Sequence, residues 1–118
     1  MLINGAIEAQ KKVLALSLAE TNPLISIKPR IDLASLYDML ERKEDAMVEL
    51  EKAITTARAG NMETLLFMAL EAKAHLLWMR GRTAEARDAF RAGMAIERDN
   101  ERILEGAAAL AGATTRQD

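Results

Sequence analysis

The chain has 118 residues, half of them apolar but only 3% aromatic, and a formal net charge of −2. That length bounds it to one domain that buries roughly two thirds of its unfolded surface. The near-neutral balance, 8 basic and 9 acidic residues on each side of Gly60, argues against a general nucleic-acid or anionic-membrane surface. The absence of cysteine excludes disulfides and thiolate chemistry. Alanine, leucine and methionine carry the apolar content, which favours helices over sheets. No apolar run reaches the ~18 residues of a membrane span. Glu8, Lys11 and Lys12 interrupt the N-terminal apolar pattern, so no signal peptide is read and a cytoplasmic setting is expected.

In chain order, residues 2–20 predict a first helix with Ile3, Ile7, Leu14 and Leu18 on one side. Thr21 to Pro29 is the least regular stretch. Pro23 and Pro29 break it, and its apolar Leu24, Ile25 and Ile27 suggest a loop that packs down or starts a distorted turn. A helix is expected over 30–42, with Leu33, Leu36, Tyr37 and Leu40 facing inward, then a tight turn at Lys43 and Glu44. The next helix covers 45–59, with Ala46, Leu50, Ala53 and Ala57 at intervals of four, three and four, and Gly60 ends it.

Asn61 is the expected N-cap of a helix over 62–80. Leu65, Ala69, Ala72, Leu76 and Met79 form one apolar stripe of this helix, and Leu66, Leu70 and Leu77 a second beside it. A helix with two stripes packs on two neighbours. Gly81 suits the left-handed position after its end, and Thr83 suits the cap of a helix over 83–98. There Ala86 and Gly93 allow close approach of two backbones, with Phe90 expected to fill the space between them. A last helix over 100–111 carries Ile103, Leu104, Ala107, Ala108 and Leu110, and residues 113–118 are expected to be a disordered tail.

An internal offset of 40 relates these elements. It sets Ala46 over Ala86, Leu50 over Phe90, Ala53 over Gly93, Ile54 over Met94 and Leu36 over Leu76. Ala6, Gln10, Val13 and Leu14 fall in the same columns one period earlier. Within this register Leu70-x2-Lys73-Ala74-x2-Leu77 is followed by Ala86-x3-Phe90, and Arg30-x2-Leu33-Ala34-x2-Tyr37 by Ala46-x3-Leu50. Both resemble the tetratricopeptide repeat, W-x2-L-G-x2-Y then A-x3-F then P. The resemblance covers about residues 30–98. It departs from the family pattern in its period of 40 rather than 34, in Lys73 and Arg30 where apolar residues are usual, and in Arg98 where a proline closes the repeat. Longer repeats of this kind look like those in the sensor regions of large bacterial transcriptional activators, although no ATPase motif and no helix-turn-helix domain accompanies them here. The resemblance implies an all-α, short right-handed solenoid of antiparallel helix pairs, about six helices in one domain, and a protein-interaction scaffold with no enzymatic activity.

Catalytic and metal chemistry needs convergent ligands. His75 is the one histidine, no nucleophile motif surrounds Ser17, Ser26 or Ser35, and no glycine-rich phosphate loop occurs. No enzyme activity, cofactor or metal is therefore expected. The Arg87, Arg91, Arg98 and Arg102 stripe is interleaved with acids and reads as local ion pairs. The resemblance implies that the first helix of each repeat lines a concave groove. On the second repeat the groove positions fall on Met68, Glu71, His75 and Trp78. On the first they fall on Lys28, Ile31, Ser35 and Asp38, with Asp32 and Met39 adjacent. Spacing alone also puts Met68, Glu71, His75 and Trp78 on one face, distinct from the Leu65–Leu76 stripe. Two readings of that face stand open. It is a recognition surface for a peptide or protein segment, or Trp78 and Met68 fill space against a neighbouring helix. The alternatives to a peptide-binding groove are a homodimer stacked through the terminal helices and a small-ligand sensor domain.

Overall fold

A computed structural model describes residues 2–19 and 22–115, with side chains described for all of these except 17–19, 103, 104, 107 and 110–115. Every element among the described residues is helical: α1 (Leu2–Ala19), a 3-10 turn (Pro23–Ser26), α2 (Ile27–Met39), α3 (Lys43–Ala59), α4 (Glu63–Met79) and α5 (Thr83–Thr115). The described residues thus form five α-helices and one 3-10 turn, where about six helices were expected. The chain is all-α in the coarse sense expected from its composition.

The stretch with the two prolines is more regular than expected. Pro23 opens the 3-10 turn and Pro29 lies in the first turn of α2, where a missing N–H leaves no hydrogen bond unmade. The 3-10 turn leads straight into α2, so residues 23–39 form one helical path. Asn22 caps it, its side-chain oxygen accepting from Leu24 N–H at 3.2 Å, and the buried Ser26 hydroxyl donates to the Pro23 carbonyl. With the 3-10 turn counted in, 23–39, 43–59 and 63–79 are each 17 residues long, about 25 Å of helix.

The three connections are one and the same turn. Leu40, Gly60 and Arg80 end their helices with φ/ψ of −91/7, −92/1 and −92/3. Glu41, Asn61 and Gly81 follow in the left-handed region at φ 60, 54 and 76. The next N–H of each turn reaches back to a carbonyl of the helix just ended: Arg42 to Tyr37 at 2.8 Å, Met62 to Ala57 at 2.9 Å and Arg82 to Leu77 at 2.9 Å. This is the Schellman closure. Arg42 and Arg82 each then bridge to the acid three residues on, Asp45 at 2.9 Å and Glu85 at 2.7 Å. Several expectations shift accordingly. Asn61 is the left-handed residue rather than a cap, Met62 holds the cap position, and α5 begins at Thr83 itself, with Arg82 before it accepting from Ala86 N–H. The turn expected at Lys43 and Glu44 sits at 40–42, and α3 starts with those two residues.

The core has two parts. In one, Ile7 and Leu14 of α1 meet Leu33, Ala34 and Tyr37 of α2, Ala46 and Leu50 of α3, and Leu76 of α4. In the other, Ile27 and Ile31 meet Ala53, Ile54 and Ala57 of α3 and Ala69 and Leu70 of α4. The four-three-four spacing on α3 is fully buried, as read from the sequence. Gly60 admits Leu24 of the 3-10 turn so closely that a Cβ there would collide with the leucine side chain. Ion pairs fasten neighbouring helices: Arg30–Glu49 joins α2 to α3 at 2.8 Å, and Lys73–Glu51 and Arg80–Glu44 join α4 to α3 at 2.7 and 2.6 Å.

Two expectations fail at α5. It runs unbroken past Asn100, so the separate last helix at 100–111 does not exist, and helix continues to Thr115 where a disordered tail was expected from 113. No glycine or proline lies between Met94 and Gly106 to stop it. Among the described residues α5 packs on α4 alone. Phe90 does not fill the space between helices but is 56% exposed; Ala86, Ala89 and Gly93 are buried, and Gly93 faces Phe67 at 3.5 Å from where its Cβ would lie. The expected inward positions Leu18, Ile103, Leu104, Ala107 and Leu110 lie outside the described side chains, and tail residues 116–118 outside the described residues.

Candidate functional site

Two helices that are not sequence neighbours, α2 and α4, touch along one side of the molecule. Their contact leaves a cavity of about 340 Å³. Its rim is Ser35 and Asp38 of α2 and Met68, Glu71 and His75 of α4; its floor includes Ile31, Ala34, Leu50 and Leu76. Five of the residues singled out in the sequence are thus brought together. Ser35, Glu71 and His75 are exposed, and Asp38 and Met68 half-buried. Asp38 lies 3.5 Å from Lys43, whereas Glu71 makes no ion pair among the described residues.

Trp78 stands one turn beyond His75 on α4. It is 63% exposed, so it does not fill space against a neighbouring helix. It borders a second hollow, of about 610 Å³, between α4 and α5, which shares Glu71 and His75 with the first. The far wall is α5, which supplies Ala86, Arg87, Phe90 and Arg91. A smaller hollow of about 160 Å³ continues along the same pair of helices past Phe67, Phe90 and Met94, again bordered by Glu71. Glu71 borders all three hollows, which together make up the furrow over α2, α4 and α5.

Two predicted residues fall outside it. Asp32 is paired with Lys28 at 2.8 Å and Met39 ends α2 as an exposed side chain; neither lines the furrow. Of the other groove positions, Ile31 sits in the floor and Lys28 is the partner of Asp32. The α5 wall was missed. Phe90 had been assigned to the core, and the arginine stripe to local ion pairs. Arg102 does pair with Asp99, at 3.6 Å, but Arg87 and Arg91 make no ion pair among the described residues. The signal was present in the sequence: Leu50, the counterpart of Phe90, is covered by a later helix, and no described helix follows α5 to cover Phe90.

The furrow joins an indole, a phenyl ring and a thioether to an acidic junction and two free guanidinium groups. Aromatic and arginine anchors of this kind dominate protein–protein contacts. Among the described residues no three carboxylate or imidazole groups converge as a metal site, and no helix is long and apolar enough to cross a membrane. Comparison with protein-family models, with curated proteins and with solved structures finds no match to this chain.

Proposed function

We propose that the protein is a non-enzymatic interaction module that binds a peptide or protein segment in the furrow over α2, α4 and α5. The observation that carries this reading is Trp78: the one tryptophan is 63% exposed at the edge of the hollow of about 610 Å³ that Phe90 also lines. Leaving more than half of each ring in water forgoes the larger part of the roughly 1.5–3 kcal/mol that full burial contributes, which an interface recovers. The identical turns at 41, 61 and 81 support a tetratricopeptide-like arrangement of helix pairs, in which a period of 40 is two helices of 17 residues and two turns of three. The resemblance in sequence and the recurring turn point the same way. The test is capture of a partner by immobilised wild-type protein and by Trp78→Ala and Met68→Ala variants. Both variants fold and lose the partner if the furrow is the site; unchanged capture by both refutes it.

A second reading is self-association through α1, favoured by Leu2 and Leu16, which are 92% and 67% exposed. Light scattering distinguishes it: a concentration-dependent mass that Leu16→Lys abolishes supports it, and a constant monomer mass rejects it.

A further inference from the structure

The molecule contains its own example of how the α4–α5 face is covered. The α2–α3 and α4–α5 hairpins close through the same turn, and an offset of 40 carries one onto the other. On the first hairpin, Leu50 clusters with Leu76 and Ile54 with Ala69 and Leu70, so α4 is the helix that covers it, and both residues are 2% exposed. On the second hairpin their counterparts Phe90 and Met94 are 56% and 41% exposed. No described helix lies where α4 lies on the first.

We propose that this open face of α4 and α5 docks an amphipathic helix of a partner protein, apolar along one seam and acidic beside it. The inference rests on reading the furrow as a binding site and specifies what enters its α5 side. The seam follows from α4 itself, whose Ala69 and Leu76 pack into the two core clusters while Ala72 lies against both. The acidic flank follows from charge. Lys73 of α4 pairs with Glu51 of α3 at 2.7 Å. The residue 40 positions after Glu51 is Arg91, which lines the hollow with Arg87 one turn before it. Neither arginine has an ion-pair partner among the described residues. An occupant placed as α4 is placed therefore needs a carboxylate where α4 has Lys73. Within residues 1–118 the register position holds no carboxylate, since Ala113 stands 40 after Lys73. The α1 helix of a second copy carries both signs there, Glu8 paired with Lys11 at 3.7 Å and Lys12 next to them, and so offers no distinctly acidic flank.

The probe is a synthetic peptide of residues 61–79 carrying Trp78→Gln, made with Lys73 retained and with Lys73→Glu. Trp78 of the protein is then the only indole in solution. The Lys73→Glu peptide should shift Trp78 emission to the blue saturably, and bind at least tenfold more tightly than the Lys73 peptide. Arg91→Glu, at an exposed position, should reverse that order with unchanged circular dichroism. No saturable shift with either peptide, or an order that Arg91→Glu leaves unmoved, overturns the inference. A blue shift on concentrating the protein alone also overturns it, by naming a second copy as the occupant. If the peptides fail while Trp78→Ala still loses a captured partner, the helix inference falls and the furrow reading stands. If Trp78→Ala loses nothing, the furrow reading falls with it.

Discussion

Exchanging glycine between equivalent turns gives opposite signs from one geometry. Gly81 has φ 76 and a Cβ added there meets nothing within 4 Å, so Gly81→Ala alters backbone energetics alone. A left-handed L-residue costs about 1–2 kcal/mol, and alanine recovers about 0.4–1 kcal/mol by restricting the unfolded chain. The net expectation is a loss of up to about 1.6 kcal/mol. Glu41 occupies the same position at φ 60, so Glu41→Gly runs the exchange backwards and should gain about 0.5–1 kcal/mol. Glu41 takes part in no side-chain bond or ion pair among the described residues, so nothing else is lost. Asn61 tolerates the left-handed region better than Glu, and Asn61→Gly should gain less than Glu41→Gly. Urea denaturation reads all three, and each kcal/mol moves the thermal midpoint by roughly 3–6 °C in a chain of this size. A neutral Gly81→Ala together with a destabilising Glu41→Gly would refute the equivalence of the turns.

Further outcomes follow from the packing. Leu50→Ala should cost about 2.7–5 kcal/mol, while Phe90→Ala, at the corresponding position of α5, should cost under about 1 kcal/mol because its ring is more than half exposed; similar losses by chemical denaturation would mean that the α4–α5 face is covered. Glu49→Ala strands Arg30, whose side chain is 12% exposed, and should cost about 2–4 kcal/mol. Replacing both with Met and Leu should restore most of that stability in the same assay, because no unpaired charge is then left between α2 and α3.

Much of this fold is written in helical periodicity. The α3 stripe of Ala46, Leu50, Ala53 and Ala57 is buried where its spacing put it, and the two stripes of α4 each meet a neighbour, except at Met79, which is 62% exposed at the helix end. The recurring turn was legible only at Gly81. Its left-handed position is filled elsewhere by Asn61, a residue type that suits it but that also suits an N-cap, and by Glu41, which does not announce it; there the geometry is imposed by the Schellman hydrogen bonds and by the packing of the helices on either side. The prolines misled because their meaning depends on position. Pro29 breaks a helix from within but opens one from its first turn. Asn100 misled in the opposite sense, since the 40-residue register called for a break that no local signal enforces, and Asp99 and Arg102 pair across the point where it was expected. The α4 half of the furrow was readable because Met68, Glu71, His75 and Trp78 share a helix face. The α5 half was not, because Phe90 occupies a core column of the repeat, and no described helix follows α5 to cover that column.

The central claim is that the exposed face around Trp78 binds a protein segment, and the most direct measurement is the affinity of wild-type protein and Trp78→Ala for the same captured partner, with thermal stability measured alongside. The account predicts that Trp78→Ala weakens binding by about 2 kcal/mol, or roughly thirtyfold, with an almost unchanged midpoint. Undiminished affinity, or a stability loss of about 3–5 kcal/mol as for a buried ring, would contradict it.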